Sequence, residues 1–146
     1  MEPGGRPPPV HAASGTDWVL VCDDTASIRL LLRINLELAG FEVLEARDGQ
    51  AALDLLDRNR DRLPAVVLLD AQMTPLDGWE AVATIRGDAA LAHLPIVMVT
   101  ASLQQQEKER SIAAGVDAFV AKPFEPEELV DLVSGLAVSG RSAAQP

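Results

Sequence analysis

Asp23 and Asp24 follow directly on the apolar run WVLVC, Asp70 on AVVLL, Thr100 on PIVMV and Lys122 on DAFVA. Each has an ordinary use. An aspartate pair caps a helix, a lone aspartate forms a turn, a threonine caps a helix or fills a strand, and a lysine is most often a solvated charge. Their recurrence at the ends of four separate apolar runs argues instead for a shared task. Two carboxylates about 4 Å apart repel by about 4 kcal/mol at an effective dielectric of about 20, so three converging acids require a cation. Oxygen donors suit a hard divalent ion, and Mg2+ typically takes a couple of carboxylates, some waters and phosphate oxygens.

Convergence depends on the elements that carry these residues. The apolar runs are Trp18 to Cys22, Phe41 to Ala46, Ala65 to Leu69, Pro95 to Val99 and Asp117 to Ala121. Four of them are rich in β-branched or aromatic residues, as strands are. Helix-period segments fill the gaps. Gly40 and Gly115 stand where helices end on a left-handed residue, and Pro126 with Glu127 and Glu128 suits a first helical turn. The order is (βα)5, which predicts an α/β fold with a five-stranded parallel sheet, right-handed crossovers and helices on both faces. Sites in such sheets gather at the carboxyl ends of the strands. Asp23, Asp24, Asp70, Thr100 and Lys122 all fall there, while the second strand brings only Glu45 and Arg47 nearby. The helix SIRLLLRINLELAG carries more apolar positions than one buried stripe uses, so residues such as Leu30 or Ile34 are expected on the surface.

Composition bounds the function. The 146 residues fit one domain, and 22 acidic against 12 basic residues give a net charge of -10. Such a surface repels a phosphate backbone, which argues against direct nucleic-acid binding. The single cysteine, Cys22, excludes an internal disulfide and sits within an apolar run, which predicts a buried structural thiol and fits a reducing, cytoplasmic setting. No signal peptide or membrane span is expected. The layout read from the chain is a disordered tail over residues 1–15, one domain over 16–138 and a flexible tail over 139–146.

Several separated motifs agree with one known pattern. VCDD at Val21 to Asp24, LLDAQMTPLDGWE at Leu68 to Glu80, PIVMVTA at Pro95 to Ala101 and AGVDAFVAKPF at Ala114 to Phe124 resemble the receiver domain of two-component response regulators, over Asp17 to about Val138. The resemblance implies a flavodoxin-like fold with strand order 2-1-3-4-5. It makes Asp70 the phospho-acceptor, with Asp23, Asp24, Asp70 and the backbone carbonyl of Gln72 positioning Mg2+. Thr100 and Lys122 would contact the phosphoryl group, Phe119 falls at the switch aromatic, and the Lys122-Pro123 bond would be cis. It further implies a phosphohistidine donor on a histidine kinase or phosphotransfer protein. The output is a partner protein or a second copy, engaged through the fourth helix, fifth strand and fifth helix, roughly Gln104 to Leu136. Such a chain is not an enzyme on an external substrate, although it catalyses its own phosphorylation and aspartyl-phosphate hydrolysis.

Departures and rivals bear on this expectation. Thr74 stands where a proline often follows the methionine, with Pro75 next, and Gln72 and Ser102 occupy variable positions that adjust water access. A haloacid-dehalogenase-like phosphatase wants an acid where Gln72 stands. A flavin carrier wants a phosphate-cradling loop where this chain has DDTAS. Two alternatives stay within the fold: an unphosphorylated pseudo-receiver that serves only as an interaction module, and a phosphate sink without an effector. With only a short tail after Val138, the reading is a stand-alone receiver or a piece of a larger regulator.

Overall fold

Parallel strands buried on both faces read as continuous apolar runs, and that is how five short segments of this chain assemble. The computed structural model describes residues 17–101 and 105–140, with residues 105–108 and 111 described by their backbone alone. Element order is β1 (Trp18–Cys22), α1 (Ala26–Leu38), β2 (Glu42–Ala46), α2 (Gly49–Arg58), β3 (Val66–Asp70), α3 (Gly78–Gly87), β4 (Ile96–Thr100), α4 (Gln105–Ala114), β5 (Ala118–Ala121) and α5 (Pro126–Ser139). The sheet runs β2-β1-β3-β4-β5 with every pairing parallel. This is the α/β, flavodoxin-like order expected above. The predicted tails over 1–15 and from residue 141 onward lie outside the described residues, as do Ser102 and Gln104; α5 itself runs one residue beyond Val138.

Alternate side chains along each strand feed two cores. Trp18, Leu20, Cys22, Leu69 and Met98 face α2 and α3, while Val19, Val21, Leu68 and Val97 face α1 and α5. β1, β3 and β4 are therefore buried at every position. Element ends differ from the sequence expectation by one or two residues. β3 and β4 include Asp70 and Thr100, whose backbones still pair with Val99 and Ala121. Pro95, lacking an N-H, stands just before β4.

Helix ends follow local chemistry. Gly40 and Gly115 take positive φ angles of 101° and 93°, as their positions after α1 and α4 require. Asp48 caps α2 by accepting the N-H of Ala51, and Asp77 and Glu80 form a reciprocal capping box on α3. The Lys122-Pro123 bond is cis as expected, and Thr74-Pro75 is cis as well. Arg86 of α3 donates to the carbonyls of Ala92, Leu94 and Gly115 and pairs with buried Asp117, which in turn accepts the N-H of Ile96. One arginine thus ties the ends of α3 and α4 to the starts of β4 and β5.

Among the described residues no helix is long and apolar enough to cross a membrane. Two glycines let helices start close to neighbouring backbone, Gly78 beside the end of β3 and Gly49 beside the loop after it. A Cβ on Gly78 would lie 2.3 Å from the carbonyl oxygen of Asp70, and one on Gly49 would lie 2.4 Å from that of Leu76. Gly78→Ala is expected to cost roughly 1–3 kcal/mol through overpacking. Gly87→Ala, whose Cβ would meet nothing within 4 Å, should leave stability level or raise it by up to about 1 kcal/mol. Urea midpoints measure both, and equal midpoints would contradict the close approach at Gly78.

Candidate functional site

Strand register decides which residues meet. Cys22 stands beside Ala46 and Leu69, Asp70 beside Val99, and Thr100 beside Ala121. The residues that follow β1, end β3 and β4, and follow β5 therefore emerge at one edge. Carboxylate oxygens of Asp23, Asp24 and Asp70 all lie within 4.8 Å of one another there. Lys122 bridges two of them, with Nζ 2.9 Å from Oδ2 of Asp23 and 3.3 Å from Oδ2 of Asp70.

Each acid is held differently. Asp23 is buried, and its Oδ1 accepts the N-H of Thr25 at 2.9 Å, so it does not cap the first helix. Asp24 is exposed beside it. Asp70 is buried, and its Oδ1 accepts the N-H of Gln72 at 3.2 Å, a turn-type contact that leaves Oδ2 toward Lys122. The ordinary turn role and the shared site coexist in Asp70. Lys122 is no solvated surface charge, since its side chain is 19% exposed and contacts two carboxylates.

Thr100 is buried at the end of β4, and its carbonyl accepts the N-H of Lys122 at 2.7 Å. Phe119 pairs with Met98 on the neighbouring strand. By strand alternation Thr100 and Phe119 point to the same sheet face one step apart, and Phe119 packs half-buried against the core that also receives Trp79. All seven residues expected from the sequence thus lie at this edge or one strand step from it.

Burial and charge set the protonation tendencies. Burial pushes the Asp70 carboxyl above its ordinary value, with Asp23 adding to this, while the Gln72 N-H and Lys122 oppose it. Burial alone would lower the Lys122 ammonium. The hydrogen bond and charge of Asp23, then those of Asp70, more than offset that and raise it. Burial, with the charges of Asp48, Asp23 and Asp70, raises the Cys22 thiol far above its usual range. Cys22 is buried, and the raised thiol disfavours the reactive thiolate form. Its sulfur lies 3.1 Å from the carbonyl oxygen of Asp48 and 3.4 Å from the sulfur of Met73, in the loop that follows Asp70.

The donor set is all oxygen, and a lysine ammonium already bridges two of its acids. That arrangement fits a hard divalent cation, as the acid spacing predicts. One neighbour was missed by sequence reasoning. Arg29 on α1 donates from Nη1 to the carbonyl oxygen of Asp23 at 2.6 Å and from Nε to Glu45 at 3.0 Å. Its signal in the sequence was a cation in the first turns of a helix, against the dipole.

Comparison with known proteins identifies the architecture. The response regulator receiver domain family model matches residues 19–134, and the chain belongs to that family. It is 36% identical over 112 residues to the phosphate regulon transcriptional regulatory protein PhoB of Pseudomonas aeruginosa, covering 77% of this chain and 48% of PhoB. It thus spans about half the length of that curated relative. The solved chemotaxis protein CheY4 of Vibrio cholerae superposes with a TM-score of 0.76 at 32% identity, over 82% of this chain and 98% of CheY4. The Mn2+-bound form of response regulator Rcp1 superposes with a TM-score of 0.69 at 25% identity, over 82% of this chain and 91% of that one.

The raised Asp70 carboxyl has a pH consequence. Folding holds the proton above the unfolded value of 3.8, so the stability this group contributes is complete below 3.8 and is lost as pH rises through the folded value. Without divalent ions, Asp70→Asn is expected to melt above wild type at neutral pH, and the gap should close below pH 3.8. Thermal melts across pH check this, and a gap independent of pH would contradict it.

Proposed function

We propose that this receiver domain accepts a phosphoryl group on Asp70 and signals its presence by a conformational shift. The observation that carries this reading is the meeting of the Asp23, Asp24 and Asp70 carboxylates with Lys122 bridging Asp23 and Asp70. The donor is the phosphohistidine of a histidine kinase or phosphotransfer protein. A carboxylate oxygen of Asp70 attacks phosphorus, the N-P bond breaks, and the imidazole leaves with the electron pair, giving an aspartyl phosphate. Asp23, Asp24, Asp70 and the backbone carbonyl of Gln72 would hold Mg2+, which neutralises charge on the transferring group. Lys122, already beside Asp70, pairs with a phosphoryl oxygen, and the Thr100 hydroxyl contacts another. The chain is not an enzyme on an outside substrate, yet these groups accelerate its own phosphorylation and the later hydrolysis.

Output follows from the same edge. Thr100 and Phe119 share a sheet face, so a hydroxyl drawn toward the phosphoryl group frees space for the ring. The phosphoryl group carries about 1.5 to 2 negative charges, and since the carboxylate loses its own charge in the acyl phosphate the net gain is about one at most. Moving an equilibrium from 1:99 to 99:1 needs about 5.5 kcal/mol of differential stabilisation, so the expected change is a partial shift. The surface altered is α4, β5 and α5, where Phe119, Phe124, Glu128 and Leu132 line a cleft of about 460 Å³. A partner protein or a second copy engages it. The acidic surface disfavours nucleic acid as that partner, and a kinase-fed receiver fits a cytoplasmic setting.

Mg2+-dependent labelling by acetyl phosphate tests the acceptor. Asp70→Asn should abolish labelling with the fold retained, and Asp24→Ala should slow it and raise the Mg2+ requirement. Labelling of Asp70→Asn at the wild-type rate would overturn the assignment. For the output, phosphorylated wild type is compared with Thr100→Ala and Phe119→Ala in pull-down and self-association assays. If phosphorylation brings no new association, or both variants gain it normally, the phosphate-sink reading stands instead.

Recognition of the donor falls to α1. Leu30 is 54% and Ile34 47% exposed, as the apolar excess of this helix predicts, and its N-terminus begins two residues after Asp24. A phosphodonor helix approaching Asp70 would meet this face. Leu30→Asp and Ile34→Asp should impair transfer from the phosphodonor protein at least several-fold while sparing labelling by acetyl phosphate. Equal losses from both donors would count against the docking role.

A further inference from the structure

The acidic pair sits on main chain that has left the sheet. The last bond tying it to the ladder runs from the Asp23 N-H to the carbonyl of Ala46 at 3.1 Å, after which the chain turns through Thr25 into α1. The Asp23 carbonyl is held from the other side by Arg29 Nη1 at 2.6 Å. Arg29 is itself oriented. Its Nε donates to Oε1 of Glu45 at 3.0 Å, and the other oxygen of Glu45 pairs with Arg33, whose Nη2 reaches the Val43 carbonyl at 3.4 Å. Glu45 thus anchors two arginines of α1 to the edge strand, and one of them grips Asp23.

Local helix chemistry does not explain that arginine. It lies four residues after the N-cap Thr25, in a helix whose first turn carries no acid and whose cap side chain makes no cap hydrogen bond. A cation near a helix N-terminus is unfavourable against the macrodipole. Its contacts account for it: the guanidinium fixes the backbone from which two mutually repelling carboxylates project.

We propose that Arg29 is a positioning residue for the divalent-cation site, acting through the Asp23 carbonyl and oriented by Glu45. The proposal rests on the reading of Asp23, Asp24 and Asp70 as cation ligands. Without this grip, repulsion between the acids spreads the segment from Asp23 to Thr25, and the site must be reassembled each time a cation binds. The purely electrostatic effect of Arg29 has the opposite sign. A cation beside an acidic cluster weakens binding of a second cation, so its removal by charge alone would tighten binding. The direction of the change therefore separates the two roles.

The test is a Mg2+ titration of the full chain by calorimetry, with no phosphodonor present, alongside metal-free thermal melts. Outer groups that orient metal ligands typically contribute about 10- to 100-fold in affinity. Arg29→Ala is expected to weaken Mg2+ binding roughly tenfold, at the low end of that range. Arg29→Lys, which keeps a donor and the charge but loses the fork, should fall between Arg29→Ala and wild type. Glu45→Gln should weaken binding in the same direction by less. A lowered melting temperature with Mg2+ affinity unchanged would show a merely structural role and overturn the proposal, as would tighter binding. If Arg29→Ala does not fold, the same criteria apply to Arg29→Lys and Glu45→Gln. Failure of wild type to bind Mg2+ would instead overturn the cation site itself, and the positioning role with it.

Discussion

Three acids and one ammonium in a partly buried space set the terms for the rest of the molecule. Asp23 and Asp70 could not sit in contact with a single cation if either drifted, since Lys122 lies 2.9 Å from one and 3.3 Å from the other. Loss of one acid leaves Lys122 paired with the other; only loss of both would leave a buried charge uncompensated, which typically costs about 3–5 kcal/mol. Lys122 is correspondingly fixed at its own backbone. Its N-H bonds the Thr100 carbonyl, and the cis Lys122-Pro123 bond follows at once. Charge balance, strand register and loop path are one problem at this edge.

The parallel sheet solves it by giving each strand the same direction. Side chains along β1, β3 and β4 alternate into two apolar cores, which leaves the strands no freedom to slip. A slip of one residue would turn Val19 and Val21 onto the face that now holds Trp18, Leu20 and Cys22. The same slip would carry Asp70 away from Lys122. Hydrophobic burial, worth about 25 cal/mol per Å² of apolar surface, thus enforces the register that brings the polar groups together. Gly78 and Gly49 extend this logic to the loops, where any side chain would collide with a backbone carbonyl.

Elements and site residues could be read from the chain because both depend on patterns local in sequence. Apolar runs ending in Asp, Thr or Lys mark strands and their carboxyl ends, and Gly40 and Gly115 mark helix ends by a conformation that only glycine adopts readily. What escaped was set by tertiary contact. Arg29 reads only as a cation set against the helix dipole until the fold brings Glu45 and the Asp23 carbonyl to it. Cys22 reads as a core thiol, and only the folded loop after Asp70 places the Met73 sulfur 3.4 Å away. The hub at Arg86 joins residues up to 31 positions apart, a separation for which no periodicity exists. The strand order came from the family resemblance, since (βα)5 alone fixes direction but not sequence in the sheet.

Two attachments of unequal strength join α4 to α3 behind Asp70. Behind Asp70, the Gly78 backbone packs on its carbonyl, and the next residue, Trp79, carries Arg110 of α4 over its ring at 4.3 Å from the centroid. Such cation-π contacts contribute about 0.5–1 kcal/mol at exposed sites. Just past the C-terminal end of α4, Arg86 bonds the Gly115 carbonyl and pairs with Asp117, a buried ion pair whose rupture costs several times more. Both attachments run to α3, and the firmer one lies where α4 hands over to β5. An energy of about 1 kcal/mol is enough to offset the cation-π contact and not the ion pair.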